Sequence, residues 1–130
     1  MRNSCRETEE EFIQEQRRLS NRILELISES LGLKRSFMED HFEYKGVLVV
    51  NFYPPCPQPD LAMGIQKHSD FGLLTLLLQD TVPGLQVRKD GKWITVKPIE
   101  GALVVNVGDQ VQVRASKHVS PSLILSFIWS

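Results

Sequence analysis

The 130-residue sequence predicts an α+β chain that is mainly β, a jelly-roll sandwich with N-terminal helices packed on its outside. Two observations carry this prediction. Up to residue 45, apolar residues recur at helical spacing behind capping signals; from Gly46 onward the period shortens to that of strands, with turn residues between short apolar runs. A helical segment, 1–45, is therefore expected before a β domain, 46–130.

Composition is that of an ordinary globular chain, 42% hydrophobic and 24% charged, long enough for one domain and short for two. The net charge of −1 leaves no basic field, so nucleic acid is not an expected partner. No signal-peptide pattern or apolar run of membrane-spanning length is visible, and the two cysteines are Cys5 and Cys56. A reducing, cytoplasmic setting without membrane attachment is the simplest expectation.

Thr8-Glu9-Glu10-Glu11 is a capping box, in which the Thr8 hydroxyl and Glu11 carboxylate satisfy early backbone donors. A helix is expected to start there. Phe12, Leu19, Ile23, Leu26, Ile27 and Leu31 then share one apolar face, and Gly32 is placed to stop it. The stripe reads as packing material, being too short for a dimer seam. Ser36-Phe37-Met38-Glu39 repeats the capping pattern and predicts a short second helix ending near Phe42. His41, within it, has no partner at ligand spacing and reads as a half-exposed surface histidine.

Val47-Leu48-Val49-Val50 reads as a strand running into Asn51 and Tyr53. Pro54, Pro55, Pro57 and Pro59 force an irregular, extended loop, in which Cys56 is a structural thiol in preference to a nucleophile served by His68. Residues 73–78 are nearly all apolar and predict a strand covered on both faces, with Thr75 its polar break. Residues 84–89 and 92–96 flank Asp90-Gly91 and make a hairpin, because Asp-Gly suits a tight turn that needs positive φ. Alternation turns Leu85, Val87, Ile94 and Val96 toward other strands, and Trp93 toward the core or rim. Residues 101–107 form a further apolar strand, ended by Gly108-Asp109.

Between the proline loop and the strands stands His68-Ser69-Asp70. On an extended strand side chains two residues apart share a face, so the imidazole and the carboxylate can converge on one metal ion. Two histidines and one carboxylate on a face of an octahedron, with the other positions open, suit a non-haem iron(II) oxygenase. A surface pair that binds nothing would read the same. The prolines before it and the apolar strand after it favour the ligand reading.

Six segments in order, Asn51-Phe52-Tyr53-Pro54-Pro55-Cys56-Pro57, His68-Ser69-Asp70, residues 73–80, Gly84-Leu85-Gln86-Val87, Asp90-Gly91-Lys92-Trp93 and residues 101–109, together resemble the plant iron(II)/2-oxoglutarate-dependent dioxygenases. The resemblance implies an incomplete double-stranded β-helix with iron in its mouth. It implies His68 and Asp70 as metal ligands, and Fe(II), 2-oxoglutarate and O2 as cofactor and co-substrates. No catalytic residue is expected beyond the metal ligands. Asn51 and Tyr53 would line the 2-oxoglutarate pocket, since an amide and a phenol can both donate to a carboxylate. Read without the resemblance, Tyr53 packs its ring at the rim and Asn51 caps the following turn. The implied reaction is hydroxylation or desaturation of a small organic, plant-secondary metabolite, phenolic, flavonoid-like or hormone-like, with release of succinate and CO2.

After Asp109 the chain departs from that pattern. The family's second metal-binding histidine would fall at Ile124, which leaves His118, a few positions earlier, as the candidate third ligand. No Arg-x-Ser follows His118, Arg114 being the last arginine. Relative to the family the chain is expected to be truncated at both ends, and its uncharged tail, 123–130, to be aggregation-prone if exposed. Three function classes compete: the oxygenase, a catalytically inactive jelly-roll remnant with weak metal binding or an interaction role, and a His/Asp zinc hydrolase. The last lacks a nearby general-base glutamate. A monomer is expected once folded, with open sheet edges inviting association.

Overall fold

The structure, a computed structural model, describes residues 2–42, 46–62, 64–115 and 127–129. They divide into two compact units, Met1–Asn51 and Phe52–Ser130. Among the described residues no helix is long and apolar enough to cross a membrane.

In the first unit, helix α1 runs over Arg2–Ser30. The expected start at Thr8 is wrong by six residues, and the capping box lies inside the helix. Arg6 Nε reaches Glu10 Oε1 at 2.9 Å across one turn, an i,i+4 pair that supports the turn ahead of Thr8. The stop is as expected. Gly32 adopts φ +70°, its N–H donates to Glu29 O at 3.0 Å and the Leu33 N–H to Ser28 O at 3.0 Å, a Schellman closure.

The inward face of α1 differs from the apolar stripe. Leu24 is buried whereas Leu19 and Leu26 are exposed, and two serines, Ser20 and Ser28, are buried beside Leu24. Small polar residues on a packed face carry no hydrophobic signal. The cost of burying Ser28 is offset because its Oγ donates to Leu24 O at 2.8 Å, one turn back.

Helix α2, Phe37–His41, packs against α1 and places Met38 fully inside. Met38→Ala is expected to cost the first unit about 2–3 kcal/mol, read as a drop in urea midpoint at unchanged slope. The second capping box does not form as predicted, since Ser36, although the N-cap, makes no side-chain capping bond. Its hydroxyl instead donates to Asp40 Oδ2 at 2.8 Å, where Lys34 Nζ also arrives at 3.2 Å. The bond to the carboxylate is charge-assisted, and it fixes the hydroxyl on the Asp40 side. His41 is exposed; its ring stacks on Phe37 at 4.2 Å and its Nδ1 lies 2.8 Å from Phe37 O.

The Ser36 hydroxyl, then Lys34, hold the Asp40 carboxyl below its usual range. A depressed carboxyl stabilises the folded state above the unfolded pKa of about 3.9, and that contribution is lost as pH falls through the lower, folded value. A side-chain NMR titration of Asp40 should show a lowered midpoint that rises toward the unfolded value in Ser36→Ala.

Residues 46–51 form no strand, and Val47 and Val50 are each 83% exposed. The strand expected here is a correction: β-propensity describes fit to a pleated surface, and without a ladder neighbour it yields extended chain only. The proline segment is irregular up to a 3-10 turn at Pro59–Leu61.

Among the described residues the second unit holds six strands, all paired antiparallel: β1 Ile65–His68, β2 Leu74–Leu78, β3 Leu85–Lys89, β4 Lys92–Thr95, β5 Leu103–Val107 and β6 Phe127–Trp129. They make a four-stranded sheet, β1-β6-β3-β4, and a two-stranded sheet, β2-β5. This is an incomplete jelly roll. The hairpin forms as predicted, with Asp90 at φ 50° and Gly91 at φ 78° supplying both positive-φ positions of the tight turn. Leu85 is buried, but Trp93 lies at the surface with the Arg88 guanidinium 5.8 Å from its ring, and Ile94 is exposed. Strand β2 is half-buried and not covered on both faces, because its sheet has two strands and Leu78 remains exposed.

Two features depart from the expected tail. Asp109–Ala115 forms a short helix, α3, and Phe127–Trp129 enters the larger sheet between β1 and β3. The end of the tail is thus a paired inner strand.

Candidate metal centre

Strand β1 ends at His68, and the chain turns through residues 69–73 before β2 begins. The His68 and Asp70 side chains come together, but through the turn and not through alternation along one strand as the sequence suggested. Nε2 of His68 lies 3.6 Å from Oδ1 of Asp70, a separation at which both can ligate one ion. The His68 Nδ1 stands 2.8 Å from the Gln66 carbonyl oxygen. A carbonyl accepts only, so Nδ1 carries a proton, and Nε2, on the side of Asp70, is the ring nitrogen left for a metal ion. Metal-binding histidines are commonly oriented in this way.

Asp70 is the more enclosed of the pair, with 15% of its side chain exposed against 43% for His68. Its second oxygen, Oδ2, accepts a long bond of 3.4 Å from Nδ2 of Asn106, a buried residue of β5. That contact turns Oδ1 toward His68.

The turn itself is pinned from the far end of β5. The Gly108 N–H donates to Leu73 O at 2.8 Å, the Asp109 N–H to Asp70 O at 2.7 Å and the Gln110 N–H to Gly72 O at 3.3 Å. The Asp109 carboxylate accepts from the Ser69 hydroxyl at 2.8 Å. Gly108 lies so close to the turn that a Cβ there would sit 2.7 Å from the Gly72 carbonyl carbon and 2.9 Å from Asp70 O. Asn106, Gly108 and Asp109 were missed as site residues in the sequence reading. Asn106 did leave a signal, a lone amide inside the apolar run 103–107.

Among the described residues, no group of three or more histidine, cysteine, aspartate and glutamate side chains is gathered for a metal ion. His118 lies outside the described residues. Asn51 is the last residue of the first unit and Tyr53 the second residue of the other, and both are exposed. The donor set of one imidazole and one carboxylate fits a hard-to-borderline divalent ion such as Fe(II), with further positions left for other ligands.

An antiparallel β framework carrying a His-x-Asp turn in this geometry suits two of the three protein ligands of a mononuclear Fe(II) centre. The chain belongs to the 2OG-Fe(II) oxygenase superfamily, whose profile matches residues 44–120. It is 46% identical over 111 residues to 1-aminocyclopropane-1-carboxylate oxidase homolog 11 of Arabidopsis thaliana, covering 85% of this chain and 30% of that protein. It is 48% identical over 110 residues to naringenin,2-oxoglutarate 3-dioxygenase of Callistephus chinensis, covering 82% and 31%. The crystal structure of JOX2 in complex with 2OG, Fe and JA superposes with a TM-score of 0.80 at 40% identity, over 95% of this chain and 37% of that one. The chain therefore spans about a third of the length of these relatives.

Proposed function

We propose that the chain supplies the His68/Asp70 side of an Fe(II) centre in a 2-oxoglutarate-dependent dioxygenase that hydroxylates or desaturates a small organic molecule. The observation that carries this is the oriented pair: Nδ1 of His68 held at 2.8 Å by Gln66 O, and Nε2 at 3.6 Å from Asp70 Oδ1. When bound, Fe(II) with 2-oxoglutarate and O2 supplies oxidative decarboxylation to succinate and CO2 and the oxidising power for the substrate. The protein's part is positioning. Ser69 and Asp109 hold the turn, Asn106 orients the carboxylate, and the Gln66 carbonyl keeps the imidazole in the ligating tautomer.

The proposal extends to Asn51 and Tyr53 as donors to 2-oxoglutarate, on their match to the family pattern, and to His118 as third ligand, as the remaining histidine with no assigned role. A plant secondary metabolite as substrate is supported by the name of one relative, which refers to naringenin. A helical segment at 1–45, a β domain at 46–130, a cytoplasmic location and a monomeric state complete the reading. The relatives are oxygenases and dioxygenases by name, which favours this over an inactive remnant.

The test is anaerobic titration of the purified chain with Fe(II) and 2-oxoglutarate. A weak visible charge-transfer band from the chelated co-substrate is expected. Folded protein that gives no band at saturating Fe(II) and 2-oxoglutarate would overturn the reading.

A further inference from the structure

A single residue, Ser69, separates the two proposed ligands, so the backbone torsions around it set the directions of the His68 and Asp70 side chains relative to each other. The side chain of that residue and the carbonyl of the next, Asp70, are both held by Asp109, which is 40 positions from Ser69 in sequence. The Asp109 Oδ2 accepts from Ser69 Oγ at 2.8 Å, and the Asp109 N–H donates to the carbonyl of Asp70 at 2.7 Å. The first is a charge-assisted bond, stronger than its neutral counterpart. Asp109 also begins α3, where a carboxylate lies at the favourable, positive end of the helix dipole.

We propose that Asp109 is a positioning residue for the metal pair: by holding Ser69 and the Asp70 carbonyl together it keeps His68 and Asp70 at the separation at which one divalent ion takes both. This rests on the reading of His68 and Asp70 as ligands. A purely structural role, opening α3, would give a different result, because losing a helix-terminal carboxylate lowers stability without changing how folded protein binds metal.

The experiment is Co(II) titration of the full chain without 2-oxoglutarate, followed by visible ligand-field absorption, with circular dichroism on the same samples. Co(II) accepts nitrogen and oxygen ligands as Fe(II) does. Asp109→Ala and Ser69→Ala are each expected to weaken Co(II) binding about tenfold or more, the range for residues that orient metal ligands. Because the two act through one bond, the double variant should be no weaker than Asp109→Ala by more than about twofold. Asp109→Asn, which keeps an oxygen that accepts from Ser69, should recover most of the affinity.

Folded Asp109→Ala that binds Co(II) as the wild type does overturns the proposal, as do losses from the two single variants that multiply. If Asp109→Ala does not fold, Ser69→Ala decides alone, since Ser69 is exposed and its hydroxyl supports no packing. Wild-type protein that takes up no Co(II) removes the ligand reading and this proposal with it. Uptake by the wild type with no effect of the variants removes this proposal only.

Discussion

Gly108→Ala is expected to destabilise the second unit by about 3 kcal/mol or more, at the upper end of the cost of overpacking a tight site. The reason is space, since Gly108 is not among the glycines at positive φ. An added Cβ would meet the carbonyl of Gly72, with its carbon at 2.7 Å, and Asp70 O at 2.9 Å. These atoms are backbone and cannot rotate aside, so either β5 or the turn must move. The turn carries Asp70, and the same substitution should therefore weaken divalent-metal binding. Gly72→Ala is the contrast, because its Cβ would have nothing within 4 Å. It should leave stability unchanged or raise it by about 0.4–1 kcal/mol through the unfolded chain. Urea unfolding of the two variants beside the wild type measures both; equal midpoints would contradict the close approach at Gly108.

His68→Ala is expected to abolish the visible band formed anaerobically with Fe(II) and 2-oxoglutarate. Residues that only orient a ligand typically contribute 10–100-fold to affinity, so removal of the ligand itself should exceed roughly 100-fold. The fold should persist, because the His68 side chain is 43% exposed and its loss opens no buried cavity. His118→Ala should remove the band as well, if the third position is filled as proposed. A band that survives His68→Ala would show that the ion sits elsewhere, and one that survives only His118→Ala would move the third ligand to another group.

Several parts of this fold were legible because the physics that sets them is local. The Asp90-Gly91 hairpin needs two residues that tolerate positive φ, and the end of α1 needs one at Gly32; both needs are written in residue type. Other local signals were overridden. Thr8 carries a capping signal but sits inside a helix that runs from Arg2, and the Ser36 hydroxyl donates to Asp40 and makes no capping bond. Val47-Leu48-Val49-Val50 has strand composition without a strand, because a ladder takes a neighbour and none of the described strands provides it. Helix α3 was not anticipated, because Val111 and Val113 alternate with Gln110 and Gln112 and give no helical stripe; the Gly108 carbonyl, accepting from the Val111 and Gln112 N–H groups at 3.1 Å, opens the helix.

The candidate site divides along the same line. The sequence by itself determined the candidate pair and its spacing, His68 and Asp70 with one residue between them after a proline loop and before an apolar strand, and, through six ordered segments, the resemblance to the family. Only the tertiary structure decided that the pair converges through a turn, that His68 presents Nε2, and that Asn106, Gly108 and Asp109 hold the turn in place. These contacts join residues 36 and 40 positions apart, and no local propensity encodes which distant backbone a carboxylate or an N–H will meet. That meeting depends on the pairing of β2 with β5, which brings the chain after Val107 back against the chain before Leu74.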